Sequence, residues 1–242
     1  MKQSKKNKTR DLKVIIVLGS PGAGKGTQGI LLSDKFNFYY FETSKILEEG
    51  FKKAKREDFI KIKGKKYYFL KEKKLWEKGL LCDPPFVTFL VKKKIRELFK
   101  QRKGLVLSGS PRTLYEGKEI APLLKKLYGP ENIFTILLEI PPKVTLERNK
   151  KRRICQLMRH PILSTKKEFL NLKYCPLDGS KLIKRKGLDD PEVIRVRIKE
   201  YKERTYPLID YLKKEGLKII KIDGTPSPAV VFNKILKHLK GL

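Results

Sequence analysis

The segment GSPGAGKGTQ, Gly19 to Gln28, directly follows the apolar run Val14 to Leu18, and together they indicate the architecture of the chain. Gly19, Gly24 and Lys25 satisfy the spacing G-x-x-x-x-G-K. Glycines let the backbone curl so that successive N–H groups point at phosphate oxygens, and the lysine adds a mobile positive charge. With a strand before it and a helix after it, the segment predicts a loop that cradles the phosphates of a nucleotide.

Length and composition favour one globular domain with insertions, because the chain has 242 residues and 40% of them are apolar. The apolar runs are far shorter than the roughly 20 residues that cross a bilayer, so we do not expect a membrane protein. Cys82, Cys155 and Cys175 form no even disulfide framework, which favours a reducing compartment. The basic N-terminal arm, residues 1–11, leads straight into the first strand rather than into a secretory apolar region. We expect a cytoplasmic protein and a monomer.

The charge of the chain is strongly positive. Lysine and arginine number 58 and aspartate and glutamate 26, which gives a formal net charge of +32. A charge of this size attracts polyanions of any kind, whereas a nucleotide site needs only a few cations. The lysines are spread along the whole chain without an RNA-binding or zinc-finger signature. This favours a lysine-rich solvated surface and leaves a nucleic-acid partner as the alternative.

Short runs of β-branched and aromatic residues alternate with longer amphipathic stretches. Five such runs predict strands: Val14–Leu18, Phe38–Phe41, Leu105–Leu107, Phe134–Ile140 and Leu217–Ile222. The helical stretches between them include Phe89–Phe99, Glu119–Leu127 and Val193–Leu212. The alternation predicts an α/β fold, a five-stranded parallel sheet with helices on both faces. Ligands of such sheets bind beyond the carboxyl ends of the strands, where the glycine loop lies.

Two intervals interrupt this alternation. In the first, residues 43–83, the runs Phe59–Ile62 and Tyr67–Leu70 flank Gly64 and predict a hairpin before a helix. The second, residues 153–190, is basic and carries two spaced cysteines. We therefore predict an arm, residues 1–11, followed by a single domain, residues 12–242. The domain consists of a core and the two insertions; the core comprises residues 12–42, 84–152 and 191–242.

The glycine loop departs from the usual pattern, because Gly26 separates Lys25 from Thr27. In this form it resembles the loop of the adenylate kinase family, nucleoside monophosphate kinases with a fold of the P-loop NTPase type. Four further segments resemble motifs of that family and occur in the same order: GSPRT at Gly109–Thr113, LERNKKRR at Leu146–Arg153, DDPEVIRVRIKEY at Asp189–Tyr201 and IDGT at Ile222–Thr225. The resemblance extends over approximately residues 13–224.

The resemblance implies transfer of the γ-phosphoryl group of ATP, bound with Mg²⁺, to AMP to give ADP. The reaction requires two anionic partners held in line, positive charge around the moving phosphoryl group, and exclusion of water. Arginine suits this task because its planar fork pairs with phosphate oxygens. The insertion at residues 43–83 is then the acceptor-binding insertion, and residues 153–190 form the lid.

The same resemblance assigns three groups of site residues. The catalytic residues are Lys25, Arg112, Arg152 and Arg197. The ATP-binding residues are Gly22, Ala23, Gly24, Lys25, Gly26, Thr27 and Arg148, the last lying against the base. The acceptor-binding residues are Thr43, Leu80, Leu81, Cys82, Gly109, Ser110, Pro111, Arg112, Glu116, Arg185 and Arg197.

Three residues depart from the family pattern. Glu48 replaces an arginine that binds the acceptor phosphate, and its carboxylate would repel that phosphate unless Lys45 or Lys52 supplies the charge or the segment is shifted. Ser108 replaces an aspartate that orders the waters on magnesium. Glu116 replaces a glutamine that reads the acceptor base, and an ionised carboxylate only accepts hydrogen bonds. Two alternatives therefore stay open: a kinase for GMP or CMP, or a nucleotide-binding protein that has lost turnover.

The lid resembles the four-ligand zinc lid of some family members. Cys155, Cys175 and Asp178 occupy ligand positions, and Met158 replaces one cysteine. Zinc prefers firm nitrogen, sulfur or oxygen ligands, and a thioether is a poor one, although His160 is a substitute. We therefore expect no zinc at this degenerate site and predict that the cysteines pack as small apolar contacts.

Overall fold

The structure is a computed structural model that describes residues 12–163, 167–184 and 190–239. Three sequence predictions fall outside these residues: the arm at residues 1–11, the acceptor-binding role of Arg185, and the start of the motif at Asp189. Within the described ranges, no helix combines the length and apolarity that crossing a membrane requires.

The centre of the molecule is a five-stranded parallel sheet. Its strands, in the spatial order β10-β6-β1-β5-β2, are β10 (Ile219–Asp223), β6 (Ile133–Glu139), β1 (Val14–Gly19), β5 (Leu105–Ser108) and β2 (Tyr39–Glu42). All five predicted strands are present, each within two residues of its predicted bounds. The predicted α/β fold is therefore confirmed.

Helices cover both faces of this sheet. The core helices are α1 (Lys25–Phe36), α4 (Pro84–Lys100), α5 (Leu114–Tyr128), α6 (Pro142–Lys151), α8 (Pro191–Glu200), α9 (Tyr206–Lys214) and α10 (Pro228–His238), with a 3-10 turn at Pro130–Asn132. The predicted helix Val193–Leu212 is interrupted, because a wider π-helical turn, Tyr201–Thr205, separates α8 from α9. Sequence periodicity does not reveal a single inserted residue of this kind.

The core divides into two layers because side chains alternate along each buried strand. On β1, Val14, Ile16 and Leu18 pack into one cluster with residues of α4, α5 and α9. Ile15 and Val17 pack into the opposite cluster with α1 and α10. Since β1 is buried on both faces, it reads as a continuous apolar run, as expected of a central parallel strand.

The two predicted insertions carry small structures of their own. The first contains α2 (Thr43–Lys53), the hairpin of β3 (Phe59–Ile62) and β4 (Lys65–Tyr68), and α3 (Phe69–Glu77). The second strand of the hairpin thus ends two residues earlier than predicted, because Phe69 and Leu70 begin the helix. The lid contains α7 (Lys167–Leu170) and a three-stranded antiparallel sheet of β7 (Arg152–Cys155), β8 (Pro161–Leu163) and β9 (Leu182–Ile183).

Candidate functional site

A cavity of about 820 Å³ opens at the carboxyl ends of the sheet strands, between the core, the first insertion and the lid. Most of the predicted site residues line it: Gly22, Ala23, Gly24, Lys25, Gly26, Thr27, Leu80, Leu81, Gly109, Pro111, Arg112, Arg148, Arg152 and Arg197. The structure therefore brings together groups that lie up to 175 positions apart in the sequence, from Gly22 to Arg197.

The glycine loop has the backbone that a phosphate cradle needs. Gly22 and Gly24 have positive φ angles of 83° and 98°, which side chains disfavour. A Cβ atom on Gly22 would lie 2.5 Å from Nδ2 of Asn149, a buried side chain that donates to the Thr145 carbonyl at 2.7 Å. The loop therefore requires glycine at position 22 for two independent reasons, its backbone conformation and its close contact with α6.

Lys25 begins α1 directly after the loop. Its Nζ donates to the carbonyl oxygens of Gly19 at 2.7 Å and Ser20 at 2.9 Å, so the ammonium lies folded over the loop. The first turn of α1 contains no acidic side chain, and the positive end of the helix faces the cavity unopposed. An anion at this point meets backbone N–H groups, a helix N-terminus and an ammonium together.

Four arginines line the cavity at positions that the sequence analysis selected. Arg148 donates to the carbonyl oxygens of Gly224 at 2.8 Å and Thr225 at 2.7 Å, which fixes its guanidinium plane beside the turn after β10. Arg112 follows β5, Arg152 begins β7 and Arg197 lies on α8. Their guanidinium groups surround the cavity from the core and the lid, an arrangement suited to an elongated polyphosphate.

The backbone at residues 80–82 is held from two sides. The Leu81 N–H donates to Glu200 at 3.2 Å, and the Asp83 N–H donates to the buried carboxylate of Glu72 at 2.8 Å. Leu80 and Leu81 line the cavity, whereas Cys82 points into the core, where burial raises the pKa of its thiol to about 12. Cys82 therefore stays a neutral thiol of the core and does not line the cavity.

Thr43, at the start of α2, is 3% exposed and does not line the cavity, although its neighbours Glu42 and Ser44 do. Its Oγ1 atom is buried and has no hydrogen-bond partner among the described residues. A buried hydroxyl normally has a partner. The hydroxyl of Thr43 is therefore an exception to this rule among the described residues.

The structure does not place Glu116 or Ser110 on the cavity. Glu116 is 2% exposed at the start of α5, where its carboxylate accepts hydrogen bonds from the Ser110 hydroxyl at 3.0 Å, the Arg112 N–H at 3.1 Å and the Thr113 hydroxyl at 3.2 Å. The Glu116 N–H donates back to Thr113, which completes a reciprocal cap of the helix. Burial raises the pKa of Glu116, while these donors and the Arg112 charge oppose the rise. Glu116 thus holds the segment that carries Arg112 and does not line the cavity.

Glu48 forms an ion pair with an arginine, not with either of the lysines named in the sequence analysis. Lys45 and Lys52 are exposed, and the partner of Glu48 is Arg159 of the lid, through contacts of 2.5 and 3.2 Å. No sequence signal pairs residues so far apart. Arg159 lines the cavity, so the carboxylate of Glu48 does not stand unopposed at its edge.

Ser108 also has an unforeseen neighbour. In the parallel pairing of β2 with β5, Glu42 lies directly beside Ser108, and both residues line the cavity. Ser108 is hydrogen-bonded to the Tyr40 hydroxyl, whose pKa is raised by burial and by the charge of Glu42. Glu42 accepts a hydrogen bond from the Ser44 hydroxyl at 2.9 Å. The end of β5 lacks a carboxylate, and the adjacent strand β2 carries one at the paired position.

The lid gathers four potential metal ligands. The side-chain donor atoms of Cys155, His160, Cys175 and Asp178 all lie within 4.8 Å of one another. Met158 is 63% exposed and lies outside this cluster, whereas His160, the substitute ligand that the sequence offers, lies in it. The two cysteines also contact Leu182 in a small apolar cluster, as predicted. The two cysteines therefore have polar as well as apolar neighbours.

Hydrogen bonds organise this lid cluster. The Cys155 thiol donates to Asp178 at 2.9 Å, and the Cys155 and Cys175 sulfurs lie 3.5 and 3.6 Å from Nδ1 of His160. The hydrogen bond from Cys155 holds the pKa of Asp178 well below its usual range. The other Asp178 oxygen accepts from the N–H and hydroxyl of Ser180. Ligating carboxylates in metal sites are oriented by outer hydrogen bonds of this type.

Comparisons with known proteins find one family over most of the chain. The model of one protein family, described as adenylate kinase, matches residues 17–217. The chain is 32% identical over 233 residues to an adenylate kinase of Caldicellulosiruptor saccharolyticus, covering 93% of this chain and 98% of that protein. It is 31% identical over 230 residues to the adenylate kinase of Kosmotoga olearia and 29% identical over 228 residues to that of Methanosarcina barkeri. These matches cover 94% and 93% of the chain, and 99% and 98% of the relatives.

Proposed function

This chain belongs to the adenylate kinase family and is an ATP-dependent nucleoside monophosphate kinase, and from that premise we propose that it phosphorylates AMP at the expense of Mg-ATP. The observation that carries the proposal is one continuous cavity that joins the phosphate loop to Arg112, Arg152 and Arg197. The reaction needs little beyond in-line placement of two nucleotides and positive charge around the moving phosphoryl group. The cavity offers both.

The donor side is assigned to the glycine loop. Lys25 and the N–H groups of residues 22–27 bind the ATP phosphates, since they supply directed donors and a mobile charge. Arg148, held by two carbonyl oxygens, lies against the donor base. Arg152 and Arg197 bridge the phosphates at the point of transfer, where bidentate contacts to the migrating group stabilise the transition state.

The acceptor side is assigned to the first insertion and the segment after β5. Arg112 binds the acceptor phosphate, supported by the Glu116 cap beneath it. Gly109 and Pro111 line the cavity beside Arg112. Ser110 holds this segment in place by donating a hydrogen bond to Glu116. The unpaired Thr43 hydroxyl and the backbone of residues 80–82 surround the acceptor nucleoside. The role predicted for Arg185 concerns a residue outside the described ranges.

Magnesium enters with the ATP and neutralises charge on the β- and γ-phosphates. The ion prefers oxygen ligands and retains several waters, which protein carboxylates orient. The residues present fit this requirement, because Glu42 supplies a carboxylate at the cavity directly beside the Ser108 hydroxyl. We assign to Glu42 the water-orienting role that Ser108 lacks the charge to perform.

We also propose that the lid holds a zinc ion, contrary to the expectation from the sequence. Around tetrahedral zinc, sulfur, nitrogen and oxygen ligands are separated by about 3.3 to 3.8 Å. Nδ1 of His160 lies 3.5 and 3.6 Å from the two sulfurs, and the four donors all lie within 4.8 Å of one another, with the second oxygen of Asp178 held by Ser180. Such an ion would fix the turn between β7 and β8.

Elemental analysis of the purified protein tests the zinc assignment. We expect about one zinc per chain and loss of the zinc in His160→Ala, with a lowered melting temperature. Met158→Ala is the matched control, because its side chain is exposed outside the cluster and its zinc content should be unchanged. Wild-type protein without zinc, or His160→Ala that keeps it, would refute the assignment.

The experiment that tests the proposed function is a panel of acceptors. Mg-ATP is offered with AMP, GMP, CMP, UMP and dTMP in turn, and the diphosphate product is measured. We expect the largest kcat/KM with AMP. A preference for GMP or CMP would redirect the specificity, and ATP binding without a product from any acceptor would refute the enzyme in favour of a binding protein.

The setting of the enzyme is proposed from the sequence and the thiols. Cys82, Cys155 and Cys175 are all free, in agreement with a reducing compartment, and we propose a cytoplasmic monomer. The partners that the family implies are nucleotides, ATP and an AMP-type acceptor. The charge of +32 motivates one further assay, nucleic-acid binding at about 0.15 M salt, which purely non-specific contacts survive poorly.

A further inference from the structure

A bidentate ion pair joins the lid to the acceptor-binding insertion. Arg159 Nη1 lies 2.5 Å from Oε2 of Glu48, and Nη2 lies 3.2 Å from Oε1. Glu48 belongs to α2, and Arg159 belongs to the turn between β7 and β8, 111 positions away. The side chain of Glu48 is only 14% exposed, so water screens the pair less than it screens an ordinary surface salt bridge. Two parallel N–H···O bonds give this pair both strength and a fixed orientation.

The backbone of Arg159 is also unusual. Its φ angle is 61°, in the left-handed region that residues with a side chain rarely adopt. Its N–H donates to the Cys155 carbonyl at 3.1 Å, which closes the turn, and His160 follows it in the metal-ligand cluster. Glycine would adopt this conformation at lower cost. Arg159 thus lies in the chain between two members of that cluster, Cys155 and His160, in a strained conformation. Strain of this kind points to a task for the side chain.

We propose that Arg159 is a positioning residue through which the lid completes the acceptor site by pairing with Glu48. This inference rests on the proposed function. An uncompensated carboxylate on α2 repels an approaching acceptor phosphate. When the lid is closed over the donor, Arg159 neutralises that carboxylate and ties α2 to the lid. Donor binding therefore favours acceptor binding, and the coupling free energy passes through this pair.

A double-mutant cycle on binding measures this coupling. The dissociation constant of AMP is determined by calorimetry with and without a non-hydrolysable ATP analogue. We expect the analogue to tighten AMP binding in the wild type by a factor equal to the ratio of the two dissociation constants. This factor should fall about three- to tenfold in Arg159→Gln and in Glu48→Gln. The double variant should show no further fall, because either single change already removes the pair.

The control variant is Lys181→Gln, which removes an exposed lid cation that is not the described ion-pair partner of Glu48, and it should keep the wild-type factor. Affinity for the ATP analogue alone, measured in every variant, reports whether the donor site and fold are intact. An unchanged factor in Arg159→Gln, or single effects that add in the double variant, would overturn the inference while leaving the proposed function standing. Failure of the wild type to bind the analogue or AMP would instead refute the proposed function.

Discussion

The donor and acceptor halves of the cavity are built in different ways. The proposed donor half is mostly one continuous segment, the glycine loop and the first turn of α1, which offers backbone N–H groups and Lys25 to phosphates. The acceptor half is assembled from separate segments, α2, residues 80–82, the turn before α5 and, through Arg159, the lid. Its charges are therefore set by contacts between distant segments.

This difference shows where substitutions can be compensated. A backbone cradle depends on the conformation of consecutive residues, so an altered residue in it has no distant replacement. Side-chain charge can move to any neighbouring segment that reaches the same volume. On the proposed assignments, Glu42 beside Ser108 and Arg159 against Glu48 are two such relocations, and both are made by side chains outside the glycine loop.

Lys25→Met should have the largest effect, and it tests whether the glycine loop is the donor half of the cavity. We expect kcat to fall about 10³-fold, because no other cation of the loop can replace the lost ammonium at the phosphates. Initial-rate kinetics with ATP and AMP measures the loss, and circular dichroism checks the fold. Lys35→Met on the exposed last turn of α1 is the matched control and should retain wild-type rates. Retained activity in Lys25→Met would show that the loop does not bind the transferred phosphates.

The next largest effect is expected for Gly22→Ala. The added Cβ would lie 2.5 Å from the buried Asn149 amide at a φ of +83°, so the loop must shift away from α6. We expect KM for ATP to rise at least about tenfold. Gly64→Ala, in the β3–β4 hairpin, has the same φ of +83° with nothing within 4 Å of its Cβ, and it reports what alanine at this φ does without a collision. An equal effect of both variants on KM would contradict this account.

Glu42→Gln tests whether the magnesium carboxylate has moved from β5 to β2. We expect the Mg²⁺ concentration for half-maximal activity, and for half-maximal Mg-ATP binding by calorimetry, to rise several-fold. The double variant Glu42→Gln/Ser108→Asp returns a carboxylate to the neighbouring strand at the paired position and should recover most of the loss. Unchanged magnesium dependence in the single variant would place the ion elsewhere.

The same difference between the halves decides how much the sequence alone could predict. The sheet, its five strands and the glycine loop follow from local periodicity and spacing, and the structure confirms them. The pairings of Glu48 with Arg159 and of Glu42 with Ser108 depend on tertiary geometry, which no local pattern encodes. The sequence offers His160 only as a substitute ligand, and tertiary structure brings it to the two cysteines and Asp178.

The smallest effect is expected for Glu116→Gln, and it separates the two interpretations of this residue. If Glu116 read the acceptor base, the variant would improve the use of AMP relative to GMP or CMP. In the structure its carboxylate accepts from Ser110, Arg112 and Thr113 behind the cavity wall, and a glutamine carbonyl can still accept from Ser110 and the Arg112 N–H. We therefore expect unchanged ratios of kcat/KM across the acceptor panel, with at most a modest change in AMP affinity through Arg112. A shift of the ratios toward AMP would return Glu116 to the base and require the turn before α5 to open when the acceptor binds.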